Sequence, residues 1–113
     1  MHDDYRLPFI DAGDAARGHR DGTLRLVDVR KPAARAEDPR AVEGTERIDP
    51  FALDHGHPIL SHDGPVAFFC VHGHHVSRFA CALGRLHGRE TYYVAGGFLG
   101  LVEAGAPLAG STR

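Results

Sequence analysis

Val66-Ala67-Phe68-Phe69-Cys70-Val71-His72-Gly73-His74-His75-Val76-Ser77 joins an apolar run to a cysteine that opens a turn containing glycine and histidine. The run is apolar at successive positions, as in a strand covered by helices on both faces of its sheet. Such a strand delivers the Cys70 sulfur to the sheet edge. The turn supplies converging backbone N–H groups, and Ser77 is placed to cap the helix that follows. Partial positive charge at a helix start favours thiolate over thiol, so the segment reads as the presentation of a nucleophile.

Outward from this segment the elements alternate. A helix is expected over 77–87, with Phe79, Ala80, Leu83 and Leu86 at helical spacing on one face and Gly88 placed to end it. A strand over 91–94, a Gly96-Gly97 turn and a short helix over 98–104, closed by Gly105 and Pro107, complete this half. Upstream, 11–17 reads as a short helix with an acidic start, and 18–22 supplies its exit. A strand covers 24–29. Pro32 then opens a helical turn that Asp38-Pro39 interrupts, 45–48 is a short strand, and Pro50 starts another turn through Leu53. Strand and helix in alternation argue for an α/β fold with a central, mainly parallel sheet flanked by helices on both faces. Sites in such sheets lie at the carboxyl ends of the strands, where Cys70 falls.

Length and composition agree. The 113 residues suit one domain over 1–113, and 42% hydrophobic with 25% charged residues describes an ordinary globule. A net charge of −2 with scattered basic residues gives no footprint for nucleic acid or an anionic membrane. No apolar run reaches the ~18 to 20 residues of a membrane span. The start, Met1-His2-Asp3-Asp4, lacks the basic and apolar regions of a signal peptide, so a reducing cytoplasm is the expected compartment. Cys70 at a strand end and Cys81 within the next helix are expected to be two free thiols, the second packed rather than reactive.

The remaining chemistry-bearing residues admit plainer roles. His72, His74 and His75 crowd one loop with Cys70, but alternating positions in a tight turn do not aim their side chains inward together as a tetrahedral site needs; His55 and His57 would have to come from elsewhere. No metal and no cofactor are expected, and the histidines line an anion pocket or face water. Asp28 and Arg30 alternate at a strand end and share a face. Arg30 either stabilises the loop or a bound anion, or joins Asp28 in an ion pair bracing the turn at Pro32. Arg78, one step into the helix, either meets a bound anion or lies in solvent.

Val27-Asp28-Val29-Arg30-Lys31-Pro32 resembles the DVR-x-P signature of the rhodanese domain, and Cys70 with Gly73 and Ser77 resembles its active-site loop. Gly96-Gly97-Phe98 followed by Ala104-Gly105-Ala106-Pro107 resembles its closing segments. The three occur in the family's order and span about 24–108, most like small single-domain rhodaneses with a Cys-Val-His-Gly-His loop. The resemblance implies a sulfurtransferase of the thiosulfate type. In that chemistry a Cys70 thiolate takes the outer sulfur of a small anionic donor as a persulfide and passes it to cyanide, a thiol or a protein. Val71, His72, Gly73, His74, His75, Val76, Ser77 and Arg30 would bind the donor. The family's loop arginine is absent: counted from Cys70 its place is held by His75, and counted back from Ser77 by Val76, the loop being one residue longer. A longer loop is also a trait of phosphatase relatives, which use that arginine. The other function class consistent with these residues is a non-catalytic module using Cys70 as a redox or metal sensor.

Overall fold

The computed structural model describes residues 7–55 and 57–109. Its elements in chain order are β1 (Phe9–Asp11), α1 (Ala12–Asp21), β2 (Arg25–Asp28), α2 (Pro32–Glu37), β3 (Ala41–Val42), β4 (Glu46–Arg47), 3-10 turns at Pro50–His55 and Pro58–Ser61, β5 (Val66–Phe69), α3 (Val76–Leu86), β6 (Thr91–Ala95), α4 (Gly97–Glu103) and β7 (Leu108–Ala109). Five strands form one sheet in the order β1-β6-β5-β2-β4, parallel at every pairing, and β3 pairs antiparallel with β7 apart from it.

The apolar run of β5 is buried along its whole length. Alternate side chains leave a strand on opposite faces, and here Phe69 packs with Ala15, Ala16, Phe98 and Leu101 from α1 and α4, whereas Phe68 packs with Ala80 and Cys81 of α3 and Leu53 of the first 3-10 turn. Helices thus cover both faces, as the double-sided apolarity of the strand requires. The chain leaves β2 toward β4 on one side and leaves β5 toward β6 on the other. The carboxyl ends of β2 and β5 therefore flank a crevice, the place where open α/β sheets bind ligands. Arg30 and Cys70 follow these two strand ends.

Three local expectations change. α1 continues past Gly18 to Asp21, because Gly18 is a packing residue: a Cβ there would lie 3.0 Å from Leu24 Cβ. The stop is Gly22, at φ +79°, whose N–H closes onto the Gly18 and His19 carbonyls. The buried face of α3 is Ser77, Ala80, Cys81 and Gly84, while Phe79 and Leu86 are 42% and 82% exposed. The helix lies so close to β6 that a Cβ on Gly84 would come within 2.4 Å of Thr91 Cγ2, so small residues face the sheet and large ones are displaced outward. The strands β1, β3 and β7 were not anticipated; at two or three residues they carry no readable period. Met1 to Asp4, on which the leader reading rested, lie outside the described residues. Among the described residues no helix is long and apolar enough to cross a membrane.

Candidate active site

Cys70 follows β5 directly and is 7% exposed. The thiol donates to Ser77 Oγ at 3.3 Å. Burial pushes the Cys70 pKa up, but the Ser77 hydroxyl and the backbone N–H groups of Ser77, Gly73 and His74 outweigh it, and the net direction is downward. The donors are neutral dipoles aimed at one sulfur, the Ser77 hydroxyl first and the loop's backbone N–H groups after it. Ser77 does not cap α3. That helix starts at Val76 with His75 at the N-cap position and no side-chain cap, and the Ser77 hydroxyl, fully buried in the first turn, serves the cysteine.

The loop is held from both sides. Gly73 sits at φ +80°, and a Cβ there would meet the Val94 carbonyl oxygen at 2.7 Å. Gly97, at φ +60°, approaches so closely that its Cβ would fall 2.5 Å from the carbonyl oxygens of both Cys70 and Val71. This approach lets the N–H groups of Phe98 and Leu99 donate to those carbonyls at 2.7 and 3.4 Å. The start of α4 therefore takes up the loop's acceptors and leaves its donors turned toward the sulfur. Arg78 neither enters the site nor floats in solvent: its Nε donates to the Gly73 carbonyl at 3.2 Å and its guanidinium lies 4.7 Å from the Tyr93 ring centre.

Asp28 and Arg30 form a buried pair at the end of β2. Arg30 Nη2 donates to Asp28 Oδ2 at 2.9 Å and its Nε to Oδ1 at 3.1 Å, while Asp28 Oδ1 also accepts the Arg30 backbone N–H at 2.9 Å. The outer nitrogens of Arg30 reach the carbonyls of Asp38 and Arg40 at 3.1 and 2.8 Å, and the guanidinium lies 4.1 Å from the Phe98 ring centre. Its donors are thus committed to tying β2, the 38–40 turn and α4 together, which is the bracing role.

A cleft of about 250 Å³ opens over the cysteine, lined by Arg30, Lys31, Ala34, Cys70, Val71, His72, His74, His75 and Val76. The structure therefore gathers every expected site residue around one sulfur: Gly73 and Ser77 beneath it as donors, the others as walls. His72, His74 and His75 are exposed at the mouth, with adjacent ring centres 5.9 and 6.3 Å apart. Among the described residues no group of three or more His, Cys, Asp or Glu side chains converges as a metal site. Cys81 is fully buried under Thr91, whose hydroxyl donates to the Cys81 carbonyl at 2.8 Å, and burial pushes this thiol up. Both cysteines are free. Lys31 and Ala34 were not anticipated in the cleft; only their position just past the β2 end signals it. Gly97 and Phe98, a turn and a helix start by sequence, also contact the loop, and the signal for that contact is the double glycine itself.

No family model matches the chain, and no curated protein matches it. Solved structures do. A Rhodopseudomonas palustris protein of unknown function, for which tyrosine phosphatase activity has been suggested, superposes with a TM-score of 0.76 at 21% identity over 90% of this chain and 84% of its own. A rhodanese-related protein from Thermoplasma volcanium gives 0.72 at 24% identity, over 90% and 97%. A thiosulfate sulfurtransferase from Pseudomonas aeruginosa gives 0.73 at 24% identity, over 91% of this chain and 19% of that longer protein. At these identities the likeness is one of fold. The five-stranded parallel sheet with helices on both faces is the fold of the rhodanese-like domains.

Proposed function

We propose that the chain is a one-domain, rhodanese-type sulfurtransferase with Cys70 as its nucleophile. The observation that carries this reading is the convergence of the Ser77 hydroxyl and the Gly73, His74 and Ser77 N–H groups on a cysteine at the floor of an open cleft. Thiolate is the reactive form, and the same donors suit the terminal anion of a persulfide. The Cys70 thiolate attacks the outer sulfur of a thiosulfate-like donor; the donor's S–S bond breaks and its electron pair leaves on sulfite. The persulfide then gives its terminal sulfur to cyanide, a thiol or a protein acceptor, and the thiolate is regenerated. Val71, His72, Gly73, His74, His75, Val76 and Ser77 form the donor cradle, and Arg30, against the Phe98 ring, braces the start of α4 that holds the loop. Phosphoryl chemistry is disfavoured because the loop itself holds no arginine and Arg78, in the first turn of α3, is engaged by the Gly73 carbonyl and Tyr93.

The test is the intact mass of the protein after thiosulfate, then after cyanide, with the modified peptide mapped. Gain of one sulfur on Cys70 that cyanide removes, and its loss in Cys70→Ala, is the expected result. An unloaded protein whose Cys70 is still readily alkylated would favour the redox-sensing alternative.

A further inference from the structure

Arg78 stands in the first turn of α3, at the end of the helix dipole that disfavours a cation. It is held there from two sides: its Nε donates to the Gly73 carbonyl at 3.2 Å, and the Tyr93 ring of β6 lies 4.7 Å from its guanidinium. Arg78 does not line the cleft over Cys70, so any action it has on the sulfur passes through Gly73. The Gly73 carbonyl and the His74 N–H belong to one planar trans peptide and point in opposite directions. That N–H is among the donors on the Cys70 sulfur. Glycine has no Cβ to forbid a rotated peptide, and a rotation here would turn the N–H away and bring a carbonyl oxygen toward the sulfur. The Gly73 α-carbon is already pressed against Val94, whose carbonyl oxygen lies 2.7 Å from where a Cβ would be. The peptide that follows it is what the arginine holds.

We infer that Arg78 is a positioning residue for Cys70: by holding the Gly73 carbonyl it sets the Gly73–His74 peptide with its N–H toward the sulfur, and Tyr93 keeps the guanidinium in place. The inference deepens the reading of Cys70 as nucleophile and rests on it for the consequence in sulfur transfer. The charged and titratable groups that line the cleft with Cys70 are Arg30, Lys31, His72, His74 and His75, and they are the same in every Arg78 variant.

Two substitutions separate the hydrogen bond from the charge and the bulk of the side chain. In Arg78→Gln the amide nitrogen is as many bonds from the backbone as the arginine Nε, so a donor remains without the charge; Arg78→Met has the same reach and no donor. Arg78 is exposed, so neither variant empties the core. In iodoacetamide labelling of Cys70 across pH, Arg78→Met is expected to raise the midpoint and slow labelling near pH 7 severalfold, with Arg78→Gln close to the unaltered chain. By amide NMR of the full chain, the His74 N–H should respond to Cys70 ionisation in the unaltered chain and in Arg78→Gln. It should lose that response in Arg78→Met, while the Ser77 N–H keeps it. Cys70→Ala supplies the part of each shift that comes from the loop histidines. An unmoved midpoint in Arg78→Met, or a retained His74 response, overturns the inference. Equal effects of the two substitutions also overturn it, since they assign the effect to the guanidinium charge. Sulfur loading from thiosulfate, read by intact mass, tests the parent reading apart: slower loading in Arg78→Met is expected. No loading in the unaltered chain overturns sulfur transfer, while labelling and the amide titration still decide the role of Arg78.

Discussion

Cys70 and Cys81 are both buried, yet their thiols are pushed in opposite directions. Desolvation raises each, and each sulfur has a hydroxyl beside it, Thr91 Oγ1 lying 3.7 Å from Cys81 Sγ; Cys70 has several backbone N–H groups as well, enough to reverse the sign. Ser77→Ala removes the hydroxyl donor, which favours the thiolate over the thiol, so the Cys70 pKa should rise and alkylation near pH 7 should slow severalfold. The pH–rate profile of iodoacetamide labelling checks this; an unmoved midpoint would show that the backbone donors suffice. Arg30→Met leaves buried Asp28 with Arg35, whose Nε lies 3.6 Å from Oδ2, as its remaining cation, and should cost about 1–3 kcal/mol of stability in urea unfolding. The double variant Asp28→Leu with Arg30→Met should cost less than Arg30→Met alone, because the buried carboxylate goes with its cation and the Arg35 left behind is part-exposed. Cys70 was legible from its place after an apolar run. The commitment of Arg30 was not, since its partners at Asp38 and Arg40 lie across a turn that no periodicity describes.

At the scale of elements, the loop after β5 owes its shape to the start of α4. Gly97→Ala would set a Cβ 2.5 Å from two carbonyl oxygens at a positive φ, so we expect a loss of about 3 kcal/mol in stability and a loop pushed off its donors. Slower alkylation of Cys70 in the folded variant, alongside a lower urea midpoint, is the measurement. The element pattern itself was largely readable: β2, β5, α3, β6 and α4 fall within a residue or two of their expected bounds. The orientation of α3 was not, because spacing ranks faces by apolar size while the sheet admits only what fits. With Gly84 against Thr91, the close face had to be small, and Phe79 was left outside, where it lines a groove with Phe51.

For the molecule as a whole, β5 divides the apolar interior into two layers that share one sheet. Leu101 and Leu53 are fully buried in separate layers, so Leu101→Ala and Leu53→Ala should each cost about 2–5 kcal/mol. Because both layers grip the same strands, each variant should still unfold in one transition; separate midpoints by circular dichroism and tyrosine fluorescence would show that the layers melt independently. The order β1-β6-β5-β2-β4 also sets the site's location, since the chain departs from β2 and β5 in opposite directions and leaves the crevice between their ends open.

By itself, the sequence determined that an apolar strand ends on Cys70, that glycines and a serine follow it, and that helices and strands alternate around it. These are short-range facts: burial pattern, turn chemistry and helix stops are written in neighbouring residues. Tertiary structure alone decided which hydrogen-bond donors turn toward the sulfur, that the Arg30 guanidinium is spent on Asp28 and two carbonyls, and that Lys31, Phe51 and Phe79 border one groove beside the cysteine. Those outcomes depend on the packing of residues far apart in the chain, where the close approach of Gly97 and Gly84 to their neighbours, rather than any local preference, selects the geometry.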